Sequence, residues 1–310
     1  MKVLVPSSVR LDLPGHDVVV FDAAEPIPAE HRDAEVLVEW VMPADRLAEA
    51  ARDLTGLRLV QTLSAGPDAI ARAGFGEGVA LASGRSLHDA TVAEHTLAML
   101  LALVRDLPRL AEAQAAGTWD DAYRRDQHAP ETEGLYTLEG AHVAIWGFGS
   151  IAQRLAPLLE ALGARVTGIA RSTGERHGHQ VVAADLLPEL LPRVDVLISI
   201  LPATDATDRV VDAGVLAALP DHALFVNVGR GTVVDEDALR EALERGTLRA
   251  AAIDVTRVEP LPAGDRLWSA PHLIITPHVA GGRPRGAAAL VQQNLDALAA
   301  GEPVRNRVER

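Results

Sequence analysis

The sequence of 310 residues contains no cysteine, and this absence excludes disulfide bonds, thiol nucleophiles and cysteine-bound metal centres. It also lacks an apolar run of membrane-spanning length; the apolar stretch "TLAMLLALV" predicts a buried helix. The N-terminal "MKVLVPSSVR" predicts a strand and a turn, without a hydrophobic signal segment. We therefore expect a cytoplasmic protein with no membrane contact, and we predict no metal site.

Positive charge is also scarce. The formal net charge is −14 at pH 7, and no block of like charge stands out. An acidic surface argues against a nucleic-acid groove. Apolar residues make up 48% and charged residues 23% of the chain, which is typical of a soluble globular protein with one large domain or two ordinary ones.

Short apolar runs alternate with polar helical stretches. The first series, "KVLVP", "DVVVFD", "AEVLVEW", "LRLVQTL" and "VALASG", predicts buried parallel strands of a small α/β domain. A second series begins at residue 142 and contains six strands: "HVAIWG", "RVTGIA", "DVLISIL", "ALFVNVG", "RAAAIDV" and "LIITPH". Six strands with intervening helices predict a doubly wound, Rossmann-type parallel sheet.

A long apolar helical pattern lies between the two series, over residues 89–117, and Pro108 interrupts it. Because the pattern is apolar almost all round, we expect it to be buried or to lie in an interface. Residues 118–136 are polar and irregular and predict a surface arm. The final stretch, "GAAALVQQNLDALAAGEP", predicts one helix that stops at Gly301.

A glycine turn follows the first strand of the second series. In "VAIWGFGSIAQRLAPLL", Gly147 would make the tight turn, and Gly149 would let a pyrophosphate approach the N–H groups at the start of the next helix. Ala152 replaces the third glycine of the dinucleotide fingerprint. The motif alone fits a structural turn equally well, and the surrounding strand–turn–helix pattern favours a nucleotide site.

Three polar residues follow later strands: Arg230 in "NVGRGT", Glu259 in "TRVEPLP" and His278 in "TPHVAGG". Each alone fits a solvated loop or a structural role. Together they are the set needed to reduce a 2-keto acid, because Arg is a forked donor for a carboxylate, His titrates near neutrality, and Glu can orient the imidazole. Strand ends of an open α/β sheet meet at the ligand crevice, where we expect the three to converge.

These segments, in order and spacing, resemble the D-isomer-specific 2-hydroxyacid dehydrogenases, as do "SAGPDAI", "DATVAEHTLAMLLALVRDL" and the ending "GEPVRNRV". The resemblance implies an NAD(P)-dependent dehydrogenase or 2-keto acid reductase. It implies a flavodoxin-like substrate domain of residues 1–88 and 283–310, a dinucleotide-binding domain of residues 89–282, an active site in the cleft between them, and a homodimer using residues 108–136.

The resemblance also implies residue roles. His278 would be the acid/base, Glu259 its partner, and Arg230 the substrate carboxylate anchor. Backbone N–H groups of Ala65 and Gly66 would also bind the substrate. Further cofactor contacts would be Ser150, Ile151, Leu201, Pro202, Thr207, Val228, Gly229, Asp254, Gly281 and Thr91. The family commonly has "DVFEEEP" where this chain has Thr256, Arg257 and Val258; Arg257 and Trp40 could shape the substrate pocket, but the sequence places neither.

The end of the second strand of this series predicts the cofactor. Dinucleotide folds usually have an acidic residue there for the adenosine ribose, whereas this chain has Ala170, Arg171 and Ser172. Ala170 removes the repulsion of a ribose phosphate, and Arg171 and Ser172 offer donors to it. The pair resembles that of NADP-using glyoxylate and hydroxypyruvate reductases, so we expect NADP(H) to be preferred and NAD(H) to remain possible. The alternative is that Arg171 is a solvated loop residue.

Two other functions remain open. Relatives of this family act as dinucleotide-sensing regulators without turnover, and a sensor could retain Arg230, Glu259 and His278. Other relatives oxidise formate or phosphite, although no residue here favours them.

Overall fold

The computed structural model describes residues 1–132 and 134–309. Glu133 of the predicted arm and Arg310 of the C-terminal ending lie outside the described residues. The strands are β1 Lys2–Pro6, β2 Asp17–Phe21, β3 Val36–Glu39, β4 Leu59–Thr62, β5 Ala80–Ala82, β6 His142–Trp146, β7 Arg165–Ala170, β8 Gly174–Arg176, β9 His179–Ala183, β10 Val196–Ser199, β11 Leu224–Asn227, β12 Ala250–Ile253 and β13 Leu273–Ile275.

The helices are α1 Ala44–Asp53, α2 Asp68–Arg72, α3 Asp89–Val104, α4 Leu107–Ala115, α5 Asp121–Asp126, α6 Ser150–Ala161, α7 Leu187–Leu190, α8 Ala213–Ala217, α9 Glu236–Arg245 and α10 Ala287–Ala300. Within the described ranges, no helix is both long and apolar enough to cross a lipid bilayer. The chain divides into two compact units, Met1–His88 with Arg283–Arg310, and Asp89–Gly282.

The first unit is built on a parallel five-stranded sheet in the order β2-β1-β3-β4-β5. This is the flavodoxin-like strand order expected from the sequence. Alternate residues of each strand face opposite sides: Leu4 and Leu37 pack with α1, whereas Val3 and Val36 pack with α10. The C-terminal helix therefore supplies one of the two layers that cover this sheet.

A buried polar cluster attaches α10 to the first unit. Asn294, fully buried, donates to Gln61 Oε1 at 2.6 Å, and its own Oδ1 accepts the Arg305 N–H at 2.7 Å. Gln61, also fully buried, donates to the carbonyls of Thr62 and Ser83. Because buried polar groups need partners, this cluster fixes both the helix and the segment that follows it.

The second unit contains an eight-stranded sheet in the order β13-β12-β11-β10-β6-β7-β9-β8. All of its described pairs are parallel except β8 with β9. The order reverses between β6 and β10, as in a doubly wound Rossmann sheet. Val143 and Ile145 of β6 face a core that includes α3 and α6, and Ala144 and Trp146 face a core that includes α9. The two-unit α/β architecture is confirmed.

Three details differ from the sequence expectations. The sheet has eight strands rather than six, since β8 and β9 were missed in a polar stretch. The long helix breaks at Asp106, which has φ of +46°, so α4 is separate from α3. The predicted irregular arm contains α5, whose N-cap Asp120 accepts the Tyr123 N–H and holds Arg109 at 2.7 Å.

We expect Asn294→Ala to destabilise the first unit, because it leaves Gln61 Oε1 and the Arg305 N–H buried without their partner. The free energy of unfolding should fall by about 1–3 kcal/mol. Urea denaturation followed by circular dichroism measures the change. Gln293→Ala, at an exposed neighbouring position of α10, is the matched control. Equal stability of the two variants would show that the cluster contributes nothing.

Candidate active site

The central feature of the second unit's site is an ion pair between two loops. His278 follows β13 with φ of +52°, a left-handed conformation that is uncommon without glycine and that clusters at functional sites. Its Nδ1 lies 2.7 Å from Glu259 Oε2. Hydrogen bonding to Glu259 raises the pKa of His278 despite partial burial. The imidazolium is therefore retained to higher pH than in an isolated histidine.

Glu259 is held at its other oxygen as well, since Oε1 accepts the Thr256 N–H at 3.1 Å. Burial acts to raise the pKa of Glu259, but the hydrogen bonds from His278 and Thr256 outweigh it, and the pKa is lowered. The carboxylate is thus already ionised in the pH range where the imidazole gains or loses its proton. Its position fixes the tautomer: Nδ1 carries the proton donated to Glu259, and Nε2 is the ring atom left for other partners.

Asp254 holds the turn that carries His278. Its carbonyl accepts the His278 N–H at 2.7 Å, Oδ1 accepts the Val279 N–H at 2.9 Å, and Oδ2 accepts the Ala280 N–H at 3.0 Å. The family resemblance implied a cofactor contact for Asp254. The Asp254 carboxylate is only 1% exposed, and these hydrogen bonds direct it at the turn that carries His278. Asp254 therefore helps to keep His278 in its strained conformation.

Two supporting residues were missed by sequence reasoning. Thr276 Oγ1 donates to Asp254 Oδ1 at 2.6 Å, and His95 Nε2 of α3 lies 3.0 Å from the same hydroxyl. A histidine in the apolar pattern of α3 was the one available signal. The network joins α3 to the His278 turn.

Arg230 lies in a tightly packed turn after β11. A Cβ on Gly229 would lie 2.5 Å from Leu201 O, and one on Gly231 would lie 1.9 Å from Thr256 C, so neither position has room for a side chain. Asn227 secures the turn by donating to Arg230 O and accepting from Gly229 N. The positive charge of Arg230 acts on both ionisable partners: it lowers the pKa of Glu259 and opposes the rise in that of His278. The structure therefore brings together Arg230, Glu259 and His278.

The glycine turn is shaped for a close backbone approach. Gly147 has φ of +101°, and a Cβ there would lie 2.5 Å from Ile200 O. Gly149 has open space and precedes α6, whose first residues are Ser150 and Ile151. The N–H groups of a first helical turn lack intrahelical acceptors and favour an anion. Ser150 Oγ donates to Asp89 Oδ1 at 3.1 Å.

The other predicted cofactor contacts also follow strand ends. Leu201 and Pro202 follow β10, Val228 and Gly229 follow β11, and Gly281 belongs to the loop after β13. The loop after β10 is closed by Thr207, whose Oγ1 donates to Pro202 O at 2.6 Å. The loop after β13 is fixed by Thr91 of α3, whose Oγ1 donates to Gly281 O at 2.6 Å. Except for Thr91 of α3, these residues therefore lie in loops that follow the carboxyl ends of β10, β11 and β13.

A cationic cluster lies at the end of β7. Ala170 is its last residue, and the exposed Arg171 and Ser172 follow directly. Arg176 of β8 places Nη2 within 3.4 Å of Ser172 Oγ. A shaped glycine turn, an open helix N-terminus and this cluster fit the pyrophosphate and adenosine end of a dinucleotide.

In the first unit, Ala65 and Gly66 lie in the loop between β4 and α2. Thr62 Oγ1 accepts the Ser64 N–H at 3.0 Å and donates to the buried Glu39. The support that Glu39 gives to this loop was missed by sequence reasoning.

The two residues that the sequence could not place, Trp40 and Arg257, each have a defined partner. Trp40 stacks on His88 with ring centroids 5.6 Å apart. In the second unit, Arg257 directs its guanidinium at Asp208 rather than at Arg230 or His278.

Comparisons with known proteins agree with this geometry. Residues 97–280 match the family model described as D-isomer specific 2-hydroxyacid dehydrogenase, NAD binding domain. Glyoxylate reductase of Aeropyrum pernix is 30% identical over 98% of this chain and 93% of its own.

Two solved structures extend the comparison. An NADPH-dependent glyoxylate/hydroxypyruvate reductase of Sinorhizobium meliloti, in complex with NADP and sulfate, is 25% identical with a TM-score of 0.80, covering 99% of this chain and 98% of that one. A D-isomer specific 2-hydroxyacid dehydrogenase of Xanthobacter autotrophicus, in complex with NADPH and MES, is 29% identical with a TM-score of 0.78, covering 100% and 98%. The resemblance read from the sequence is confirmed: the chain belongs to the D-isomer specific 2-hydroxyacid dehydrogenase family and is an NAD(P)-dependent oxidoreductase.

Proposed function

We propose that the protein reduces a small 2-keto acid to the D-2-hydroxy acid with NADPH, and catalyses the reverse oxidation. The observation that carries the proposal is the 2.7 Å pair of His278 and Glu259 beside the charge of Arg230. A proton donor with a raised pKa and a forked cation are what the reduction of an anionic ketone requires.

In the proposed mechanism, Arg230 binds the substrate carboxylate and polarises the adjacent carbonyl. The reduced nicotinamide, when bound, supplies the hydride to the carbonyl carbon. His278 gives its Nε2 proton to the carbonyl oxygen. The Nδ1 proton stays on the ring and is donated in a hydrogen bond to Glu259, whose negative charge stabilises the charged ring before transfer. In oxidation the neutral His278 acts as the base. We propose the N–H groups of Ala65 and Gly66 as further donors to the anionic substrate.

NADP(H) is the proposed cofactor. Gly147, Gly149, Ser150 and Ile151 would bind the pyrophosphate, and Leu201, Pro202, Thr207, Val228, Gly229 and Gly281 would surround the rest of the dinucleotide toward the nicotinamide. Asp254 would act there through the His278 turn that it holds. Arg171 and Ser172, with Arg176 near the serine, would bind the ribose phosphate. The solved relatives with NADP or NADPH support this choice, and NAD(H) remains usable.

For the substrate, the relatives named glyoxylate reductase and glyoxylate/hydroxypyruvate reductase favour small 2-keto acids. A panel of 2-keto acids assayed with NADPH and with NADH, following the absorbance of the reduced cofactor, tests the proposal. Absence of turnover with every acid would favour a dinucleotide-sensing regulator. Turnover with formate or phosphite alone would favour a formate or phosphite dehydrogenase.

We further propose a homodimer formed through the arm. Trp119 is 80% exposed and Leu107 is 50% exposed, beside an arm fixed internally by Arg109 and Asp120. Large exposed apolar side chains on a rigid support are typical of protein contacts. Light scattering should give twice the chain mass for the native protein and a lower mass for Trp119→Glu. A monomeric native protein would refute the dimer.

We expect His278→Ala to lower turnover by roughly 10²–10⁴-fold, because the carbonyl oxygen loses its proton donor. Binding of NADPH, measured by its fluorescence, should persist. His222→Ala is the matched control, since His222 also pairs with a carboxylate, Asp195, at 2.8 Å. Turnover of His278→Ala close to that of the control would remove the proposed role.

Glu259→Gln should move the pH profile of reduction toward acid. Reduction needs the protonated His278, so the native rate declines as pH rises through the raised pKa. A neutral glutamine stabilises the imidazolium less, the pKa falls, and the decline begins at lower pH. Profiles of kcat/KM and an NMR titration of the His278 ring measure the shift. Identical midpoints in the native protein and the variant would contradict the pairing.

The native protein should prefer NADPH to NADH in kcat/KM by roughly 10- to 150-fold, the equivalent of a charge-assisted contact of about 1.5–3 kcal/mol. Arg171→Ala should erode this preference through the KM for NADPH, and Ala170→Asp should tilt the enzyme toward NADH. Arg165→Ala, at the exposed opposite end of β7, is the control. Equal or better use of NADH by the native protein would exclude the assigned phosphate site.

A further inference from the structure

Arg257 joins three loops of the second unit. Its Nη1 lies 3.0 Å from Asp208 Oδ1 and 3.3 Å from Thr232 O, and its backbone N–H donates to Glu236 Oε1 at 2.6 Å. Asp208 belongs to the loop after β10, Thr232 to the turn after β11, and Arg257 itself to the loop after β12. One side chain thus spans three successive strand ends.

Asp208, Thr232 and Arg257 are each within two residues, in sequence, of a residue of the proposed site. Asp208 follows Thr207 of the cofactor edge, Thr232 is two residues after Arg230, and Arg257 is two residues before Glu259. The guanidinium is engaged by Asp208 and Thr232, so it is not directed at the substrate. The Arg257 side chain therefore connects the loops that carry the proposed site residues.

The backbone around this connection is tightly packed. Thr232 O also accepts the Arg209 N–H at 2.8 Å, and Arg209 has φ of +50°, a conformation that a non-glycine residue rarely adopts. The site that a Gly231 Cβ would occupy is filled by the Thr256 carbonyl and the Arg257 nitrogen. Displacement of any one loop would therefore be felt by the other two.

We propose that Arg257 is a positioning residue that holds the cofactor loop, through Asp208, against the turn that carries Arg230. The role in catalysis rests on the proposed function, whereas the mechanical role does not. Glu259 is held separately by the Thr256 N–H and by His278, so Arg257 acts on the cofactor edge and on Arg230 rather than on proton transfer.

The test is a double-mutant cycle of Arg257→Ala and Asp208→Ala. The NADPH dissociation constant should rise about two- to fivefold in each single variant, as expected for a partly exposed ion pair, and no further in the double variant. Arg257→Lys should recover part of the loss, because it keeps the charge but not the fork. The pH midpoint of reduction should stay at the native value. Additive single effects, or a shifted midpoint, would overturn the proposal.

A second measurement needs neither cofactor nor turnover. Amide hydrogen exchange of residues 203–209 and 229–234 should rise together in Arg257→Ala and in Asp208→Ala. Arg245→Ala, which breaks an exposed ion pair with Glu241 on α9, is the control and should leave both segments unchanged. Unchanged exchange in Arg257→Ala would refute the mechanical role. If the native protein neither bound NADPH nor reduced a keto acid, the proposed function would fail while this measurement still decided the role of Arg257.

Discussion

Parallel pairing of β10, β11, β12 and β13 is the constraint on which the site depends. The register joins Asn227 of β11 to Ile253 of β12, and Ile253 to Ile275 of β13, so neighbouring strands end level with one another. Arg230, Asp254 and His278 follow these ends within a few residues. Residues far apart in sequence therefore reach one edge because the backbone ladder and the buried apolar runs determine where they emerge, and the contacts between them then set their orientation.

The sheet alone does not orient the imidazole. A left-handed His278 would relax toward an extended conformation if its neighbours were not held, and Asp254 holds them by accepting two successive N–H groups. Burial of that carboxylate is costly without partners, so its three hydrogen-bond donors both compensate the charge and specify the turn. The hydrogen bonds that compensate the buried Asp254 carboxylate thus also maintain the strained backbone of His278, and together they keep the imidazole ring beside Glu259.

Hydrophobic periodicity in the sequence was sufficient to predict the strands of the second unit and the residues that follow them. Each predicted apolar run of β6, β7, β10, β11, β12 and β13 is a strand, and the polar residues singled out in the sequence follow the ends of these strands. The antiparallel β8 and β9 were missed because short polar strands lack a periodic signal. Helix α5 was missed because tertiary contacts stabilise it: Arg109 binds its N-cap, and the Tyr123 hydroxyl donates to Arg105 O.

The supporting residues of the site were harder to find for a related reason. His95 and Thr276 are 181 positions apart, and neither belongs to a motif whose chemistry is visible locally. Arg257 could be seen as a departure from the family pattern, but its direction depends on Asp208, 49 positions earlier. Propensity and periodicity describe neighbours in sequence, whereas such contacts are defined only once the crossovers have been made.

The acidic composition of the chain bears on how the site would bind an anionic ligand. A net charge of −14 would oppose an anionic cofactor if it acted over the whole molecule. At physiological ionic strength, however, exposed charges are screened over about 8 Å, so the groups near a bound phosphate or carboxylate decide its affinity. The positive end of α6, the Arg171 and Arg176 cluster and the guanidinium of Arg230 provide positive potential at separate points. An acidic surface with these fixed cations therefore concentrates positive potential at those points, which is the arrangement that the proposed binding of NADPH and of a 2-keto acid requires.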